Sequence, residues 1–527
     1  MNTLLAAATA EAPSGWLAKL SGMVDVIDGY VWGLPLILTV LVAGIVVTSF
    51  LRMEHLFHLK RAFHYMVRTE KGVDATGEVS AFGALCTALS ATIGTGSIVG
   101  VATAIGMGGP GALFWMMVAA FFGMGTKYAE GLLAVRYREV DKDGKVLGGP
   151  FHYIEKGLGR RWKPLAVMFA VFGILAALFG IGTITQIHGI TSAVQQFFDP
   201  VFDPGDMSTG LHLFGSTYSV STVAAGAIVT LATAMVLIGG LQRIATVSTF
   251  IVPFMAVTYL VMCVFIILGN VSQILWALQT IVRSAFNPAA ATGGAVGSIF
   301  VAMQMGIARS IFATEAGLGS APIAAAAART KEPARQGLVC MMGTFFTIVI
   351  CLMTGLTIVL AQTWRPELGL EGANITIEAF AKGLAFLPNS AYTARLFIMV
   401  SLGFFAFTTI LGWDYYAERC LEYLVGRKKG VIMAYRFLYI VVVAVGPYLT
   451  VSVVWGLADV FNGLMAFPNL VALIMLSPVV WGLADVFNGL MAFPNLVALI
   501  LLAPVAWNTT REFLAKCRER EKWIEYD

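Results

Sequence analysis

The sequence predicts an all-α polytopic membrane protein of about eleven transmembrane helices. Its core reads as two five-helix units of opposite orientation, a five-plus-five inverted repeat, each opened by a broken helix. Three observations carry this. Charged residues make up 12% of the chain and apolar residues 58%, against roughly 25% charged in soluble domains. Basic residues collect in alternate connections between apolar runs, as loops on the cytoplasmic side of a membrane do. Two runs of spanning length are interrupted by glycine and small polar residues at corresponding places in the chain.

Residues 1–30 form an external N-terminal segment, with a short amphipathic stretch at 15–32 and no basic signal-peptide region. Span one covers about 31–51. A connection with Arg52, Lys60, Arg61, Arg68 and Lys71 follows, so residues 52–78 are cytoplasmic and the N-terminus external. The first repeat, 79–268, holds span two (about 80–106), span three (111–136), span four (164–194), span five (220–240) and span six (246–268). A basic connection separates spans three and four. Asp199, Asp203 and Asp206 follow span four with no Lys or Arg, as suits an external loop. Residues 269–294 are too polar and too interrupted to cross. The second repeat, 295–478, holds span seven (296–327), span eight (337–362), span nine (392–421), span ten (431–449) and span eleven from about 451. A copied last helix (479–504) and a basic cytoplasmic tail (505–527) end the chain.

Span two carries Gly94, Gly96 and Gly100 at its middle, among Ser90, Thr92, Thr95 and Ser97. Glycine is a poor helix former. An opened backbone at membrane depth is tolerated only where it is buried in protein or lines a polar cavity. The plainer reading is close packing, since Gly96 and Gly100 form a GxxxG pair. Span seven has a second polar break at Thr314, Glu315, Gly317 and Gly319. Span seven is the fifth span on from span two, so one unit starts inside and the other outside. Unrelated packing glycines have no reason to fall in corresponding places, and secondary transporters are built this way. A channel needs a continuous polar path with rings of like ligands, and an enzyme a clustered catalytic set. The sequence has neither: its six His are scattered and its six Cys suggest no disulfide framework or metal cluster. The small basic excess is what loop orientation needs and does not suggest nucleic acid.

The stretches ALSATIGTGSIVGVATAIGMGGPGALFWM, KYAEGLLAVRYRE, GGPFHYIEKGLG and IFATEAGLGSAPIAAAA occur in this order. They resemble the alanine or glycine:cation symporter family, from span two to the tail. The resemblance implies a leucine transporter-type fold and sodium-coupled uptake of a small neutral amino acid, alanine or glycine, across a bacterial-type inner membrane. No cofactor is implied, and sodium enters only as the co-transported ion. Two positions depart from the family pattern. Ala313–Thr314 stands where Ser–Asn is usual, and Ile187–His188 follows Gln186 where a smaller residue and Asn are common.

An amino-acid zwitterion needs donors for its carboxylate and acceptors for its ammonium group. Thr95, Gly96 and Ser97 offer N–H groups and the positive end of the second half-helix. Phe312 to Thr314 offer carbonyls. Gln186, polar within an apolar run, either adds a hydrogen bond to substrate or bonds to a neighbouring helix. By the resemblance, carbonyls near Ser90 and Ile93 with Thr408 and Thr409 form a sodium site, with a weaker second site near Thr92 and Ser97. The other reading of adjacent threonines is bonding back to their own turn. Intramembrane ionisable residues are functional candidates by default. Glu315 is expected to cap the next half-helix through the N–H groups of Gly317 and Leu318, with a proton relay as second role. Lys127 and Glu130 are expected to pair. Trp413 and Asp414 line either the pocket or the inner gate.

VVWGLADVFNGLMAFPNLVALI occurs at 453–474 and again, letter for letter, at 479–500. If both copies crossed, the tail with Arg511, Lys516, Arg518, Arg520 and Lys522 would lie outside, against the charge rule. Only one copy is therefore expected to fill the span-eleven position. Two other readings remain open: coupling to protons instead of sodium, and a folded protein that the duplication leaves inactive. The sequence sets neither the oligomeric state nor the choice among alanine, glycine and serine.

Overall fold

The computed structural model describes residues 22–23, 26–27, 34–51, 53–67, 77–141, 145–202, 210–213, 216–238, 241–286, 299–450 and 453–480. The chain divides into two compact units, Met1–Ser477 and Pro478–Asp527. Only 478–480 of the second are described, so the account that follows concerns the first. Most of the N-terminal segment, the 269–294 connection beyond residue 286, all but the first two residues of the second copy, and the tail fall outside the described residues.

Among the described residues, eight helices are long and apolar enough to cross a membrane. Span one, Leu34–Phe50, and the two broken spans complete the eleven. Span three runs Gly111–Tyr137, span five Val220–Ile238, span six Leu241–Gly269 and span eight Pro333–Ala361. Span nine runs Ser390–Val425, span ten Lys429–Val445 and span eleven Val453–Val480. At about 1.5 Å per residue, the 36 residues of span nine exceed the roughly 30 Å of a hydrocarbon core. The first copy of the duplicated segment thus forms span eleven. The connection from span six, expected not to cross, forms the 13-residue helix Ile274–Phe286.

Span two is a helix over Ala81–Thr92, a short turn over Thr95–Ser97 and a second helix over Val99–Gly108. Span seven is Ile299–Thr314 and then Ala321–Ala326. Their opposite directions show where they meet: Val79, at the start of span two, bridges Ala328, just past the end of span seven. The Arg329 N–H donates to the Val79 carbonyl at 2.8 Å, and the Glu78 N–H to the Ala327 carbonyl at 2.9 Å. This is a five-plus-five core with the broken helix first in each half.

Span four differs from its expected form. It is two helices, Lys163–Phe179 and Ile184–Phe198. Between them the Thr183 hydroxyl donates to the carbonyls of Ala177 (3.0 Å) and Leu178. The hydroxyl thus satisfies backbone acceptors that the interruption frees, a local competition with the helix ladder. Span three packs along span eight and the first half of span seven, while span nine packs against spans two, four and six. Both breaks therefore lie between the span-three and span-nine sides, away from lipid.

Candidate functional site

Span two opens because its own hydroxyls and glycines oppose helix. Thr87, Ser90 and Thr92 each donate back to a carbonyl of the preceding turn. Gly94 then adopts extended backbone. A Cβ at Gly94 would lie 2.6 Å from the Thr409 hydroxyl oxygen and 2.7 Å from the Gln186 amide oxygen. Only glycine lets both groups reach the opened chain. A Cβ at Gly96 would lie 2.9 Å from the Phe312 ring of span seven, whereas Gly100 has nothing within 4 Å. The GxxxG pair is therefore not a two-point packing contact.

The donors of this break are only partly as expected. The Thr95 N–H donates to Gln186 Oε1 at 3.0 Å, and Gln186 Nε2 donates to the Ile181 carbonyl at 2.8 Å. The Ser97 N–H is used within the turn, donating to the Gly94 carbonyl at 3.3 Å. The Thr95 hydroxyl is buried with no partner. The interruption of span four is what aims Gln186 at Thr95, and Gly189 leaves room for the Thr95 methyl group. Ile187 packs on Gly446, next to span ten, and not toward the break.

Beside Gly94, the Thr409 hydroxyl lies 2.9 Å from the Ser90 carbonyl and 3.0 Å from the Phe405 carbonyl. Thr409 thus joins span nine to span two. Thr408 turns away from span two: its hydroxyl bonds within its own helix to the Phe404 and Phe405 carbonyls at 3.1 and 3.0 Å, and reaches the Met255 sulfur of span six at 3.9 Å. Ile93 is fully buried and caps the first half-helix through its N–H.

Span seven opens for a different reason. Glu315, Gly317 and Gly319 have φ of 52°, 87° and 81°, left-handed values that cost a non-glycine residue about 1–2 kcal/mol. Pro322 restarts the helix, where a missing N–H does no harm. The Thr314 hydroxyl turns back to the Ser310 carbonyl at 2.7 Å. Phe312 is 1% exposed, faces Gly96 and packs against Trp455 with ring centres 5.0 Å apart and planes tilted by 44°. Next to it, Arg309 makes a two-pronged ion pair with Asp459, both contacts 3.0 Å.

The Leu318 N–H does donate to Glu315, but to its backbone carbonyl at 3.3 Å, and the Glu315 side chain is not the expected cap. Its carboxylate accepts from Trp413 Nε1 at 2.9 Å, the Ser320 hydroxyl at 2.5 Å and the Thr92 hydroxyl at 3.4 Å. The left-handed turn at Glu315 itself directs the side chain to spans two and nine. The group that caps is Glu130 of span three, which accepts from the Gly319 N–H at 3.2 Å. Asn469 of span eleven donates to Glu130 at 2.7 Å and to the Gly317 carbonyl at 2.9 Å, and accepts from the Tyr153 hydroxyl. Lys127 pairs with Glu130 at 3.9 Å, as the spacing suggests. Trp413 is thus held at the break of span seven. Asp414 is not part of this assembly: the charged groups acting on it are Glu418 and Arg436, because one residue further along a helix turns the side chain by about 100°.

The residues brought together at the two breaks are Ser90, Thr92, Ile93, Thr95, Gly96, Ser97, Gln186, Phe312, Thr314, Glu315, Gly317, Thr409 and Trp413. Sequence reading missed Asn469, the Arg309–Asp459 pair and the interruption of span four. Asn469 and Asp459 carried the same signal as Glu315, a polar side chain inside an apolar span. Among the described residues, no group of three or more His, Cys, Asp or Glu side chains is arranged to hold a metal ion.

Two discontinuous helices of opposite direction, with backbone donors and acceptors buried at mid-span, define a secondary carrier. The structure of MhsT, solved in complex with L-phenylalanine, shares the fold, with a TM-score of 0.50, 13% identity and coverage of 78% of this chain and 99% of that one. The sequence pattern of the Sodium:alanine symporter family matches residues 17–481 and again 477–526. An uncharacterized transporter of Haemophilus influenzae is 48% identical over 460 residues, 87% of this chain and 94% of the relative. The sodium/alanine symporter AgcS of Methanococcus maripaludis is 41% identical over 460 residues, 86% of this chain and 94% of AgcS. The protein is therefore a multi-pass membrane transporter and not an enzyme, of the class that carries amino acids together with a cation. It belongs to the sodium:alanine symporter family. The double match at the end of the chain reflects its tandem copy.

Proposed function

We propose that this protein moves alanine or glycine inward with sodium by alternating access, with its N-terminus external and its tail cytoplasmic in a bacterial-type inner membrane. The observation that carries this reading is the Thr95 N–H inside the opened span two, held by an exchangeable side-chain partner, Gln186, at 3.0 Å. A substrate carboxylate takes that N–H, together with the Thr95 and Ser97 hydroxyls. The last carbonyls of the first half of span seven, Phe312 to Thr314, take the ammonium group. Phe312 and Trp413 bound the space left for the side chain. The close approach of Gly96 to Phe312 suits the smallest amino acids.

Sodium then binds the oxygen group of Ser90, Ile93 and Thr409, where two oxygens already stand 2.9 Å apart. Thr408 joins it only by changing rotamer, and Thr92 and Ser97 supply a weaker second position. The cation ties span two to span nine. It thereby favours the conformation in which the broken helix receives substrate, and the two ligands help each other to bind.

Replacing external sodium by choline at fixed pH tests this in proteoliposomes. Uptake of labelled alanine is expected to stop. Uptake that continues in choline and follows a pH gradient would transfer the coupling to protons. Running the same assay on a chain lacking 479–504 separates the duplication from the mechanism: equal uptake makes the second copy an appendage, and uptake by the short form alone makes it a disabling one.

A further inference from the structure

Span eleven brings to the breaks a polar side chain that the transport reading does not use. Trp455, Asp459, Asn462, Ala466 and Asn469 follow one another at alternating intervals of four and three residues, so they share one face of the helix. That face looks at span seven. Trp455 packs on Phe312 with ring centres 5.0 Å apart, Asp459 pairs with Arg309 at 3.0 Å, and Asn469 donates to the Gly317 carbonyl at 2.9 Å. Asn462 stands between these contacts. At 1.5 Å per residue it lies about 4.5 Å along the axis from Asp459 and about 10 Å from Asn469. It therefore faces the part of span seven between Arg309 and Gly317, the part that contains Phe312 to Thr314.

The adjoining face of span eleven fixes the direction further. Phe461 lies against Phe179 with ring centres 6.1 Å apart, and a Cβ on Gly173 would lie 3.7 Å from the Met465 sulfur. Phe179 ends the first helix of span four, just before the interruption that aims Gln186 at Thr95. Asn462 thus points into the angle between span seven and span four. Trp413 closes that angle from span nine: it donates to Glu315 at 2.9 Å, and its Cβ would lie 2.8 Å from a Cβ on Gly182. Asn462 is 1% exposed, and neither its amide oxygen nor its amide nitrogen has a hydrogen-bond partner among the described residues. Asp459 and Asn469, on the same face, are both engaged by neighbouring spans. A buried amide left unmatched is unfavourable, so fastening span eleven in place does not account for Asn462.

We propose that Asn462 reads the side chain of the transported amino acid, its amide exchanging hydrogen bonds with the hydroxyl of serine. The inference rests on the proposed function, in which the substrate carboxylate lies at Thr95 and the ammonium group at the carbonyls of Phe312 to Thr314. Those contacts are common to all amino acids and cannot tell one from another. Phe312 and Trp413 bound the space left for the side chain, and Asn462 is the polar group that the register of span eleven directs there. The methyl group of alanine gives an amide nothing to bond. A hydroxyl can donate to Oδ1 and accept from Nδ2. A site that bonds a substrate hydroxyl discriminates against the analogue that lacks it. Serine is accordingly carried, and held more tightly than alanine.

Competition of unlabelled serine and unlabelled alanine against labelled alanine, on purified full-length protein in saturating sodium, measures both affinities. The parent protein is expected to bind serine about tenfold more tightly than alanine, as one added neutral hydrogen bond would give. Asn462→Ala and Asn462→Leu are expected to abolish that preference. Asn488→Leu, at the same place in the second copy, is expected to keep it. The parent measurement stands even where a variant does not fold: equal affinity for serine and alanine overturns the inference. So does a preference for serine that survives in folded Asn462→Ala, or a variant that weakens serine and alanine alike. Gln186→Glu distinguishes this failure from failure of the reading beneath it. If Gln186→Glu weakens both amino acids, the site stays at the opened span two and only the role of Asn462 is at stake. If it weakens neither, the substrate lies elsewhere and the inference falls with the site.

Discussion

The two broken helices look alike in sequence and are held open in opposite ways. Around span two the shorter bonds to the break come from neutral partners, Gln186 on the Thr95 N–H and Thr409 on the Ser90 carbonyl, with the Glu315 carboxylate reaching the Thr92 hydroxyl at 3.4 Å. Around span seven the partners are ionic or doubly bonded: Glu130 and Asn469 on Gly317 and Gly319, and Glu315 on Trp413 and Ser320. Neutral single hydrogen bonds contribute about 0.5–1.5 kcal/mol each and exchange readily, while breaking a charged, fully buried network costs several times more. The difference teaches that equivalent positions in an inverted repeat need not share a task. In the proposed function the span-two break trades its partners for a ligand, and the span-seven break keeps them.

The largest effect should come from the kept partners. Asn469→Ala leaves the Gly317 carbonyl, Glu130 and the Tyr153 hydroxyl each short of a partner. It should cost about 3 kcal/mol, at 1–3 kcal/mol per unsatisfied buried group, seen as a lower thermal midpoint in detergent. Asn495→Ala, in the identical context of the second copy, should leave the midpoint unchanged. Equal loss from both would mean that the copies exchange places and would break the comparison.

Next in size is Gln186→Glu. A carboxylate on the Thr95 N–H repels a substrate carboxylate, and at an effective dielectric near 20 the repulsion reaches a few kcal/mol. A loss of alanine affinity of about thirtyfold (~2 kcal/mol) is expected, with the thermal midpoint within a degree or two of the parent. A variant that unfolds instead would place Gln186 among the structural partners. Thr409→Val removes one oxygen from the Ser90 group. Half-saturation for sodium should rise about tenfold, since hydrogen-bond-like contacts to charge run at about 1.5–3 kcal/mol. Alanine affinity at saturating sodium should hold.

The smallest effect is a pH dependence that comes from His152. His152 lies in the connection between spans three and four, beside Tyr153. Burial holds its imidazole well below the ordinary 6.5, at about 4. Between those values the unfolded chain binds a proton that the folded one refuses, so stability rises with pH across the window and falls on acidification. Going from pH 7.5 to 5.5 should cost about 1 kcal/mol. His152→Asn should abolish that part of the acid loss in melting experiments, without altering alanine affinity at pH 7.5.

Much of this was legible in the chain. Gly94, Gly96, Gly317 and Gly319 weaken helix locally, and the loops with Arg138, Arg329 and Arg427 alternate as crossings require. The break in span four was not legible, because Gly180 and Gly182 sit in a run read as one crossing, and Thr183, Thr185 and Gln186 after them look like the isolated polar residues a continuous helix also carries. Glu315 was read as a local cap because sequence shows neighbours along the chain. Its partner Trp413 is 98 positions away, and its left-handed backbone is a product of the whole packing. Asn469 was hidden differently: it lies, with Asp459, in a stretch whose most visible feature is its exact duplication.

The most direct test of the account is equilibrium binding of labelled alanine to the purified full-length protein, with and without sodium, for the parent and Gln186→Glu. The account predicts saturable binding that requires sodium and is about thirtyfold weaker in the variant (~2 kcal/mol). Binding that is indifferent to sodium, or of equal strength in Gln186→Glu, would contradict it and move the substrate away from the opened span two.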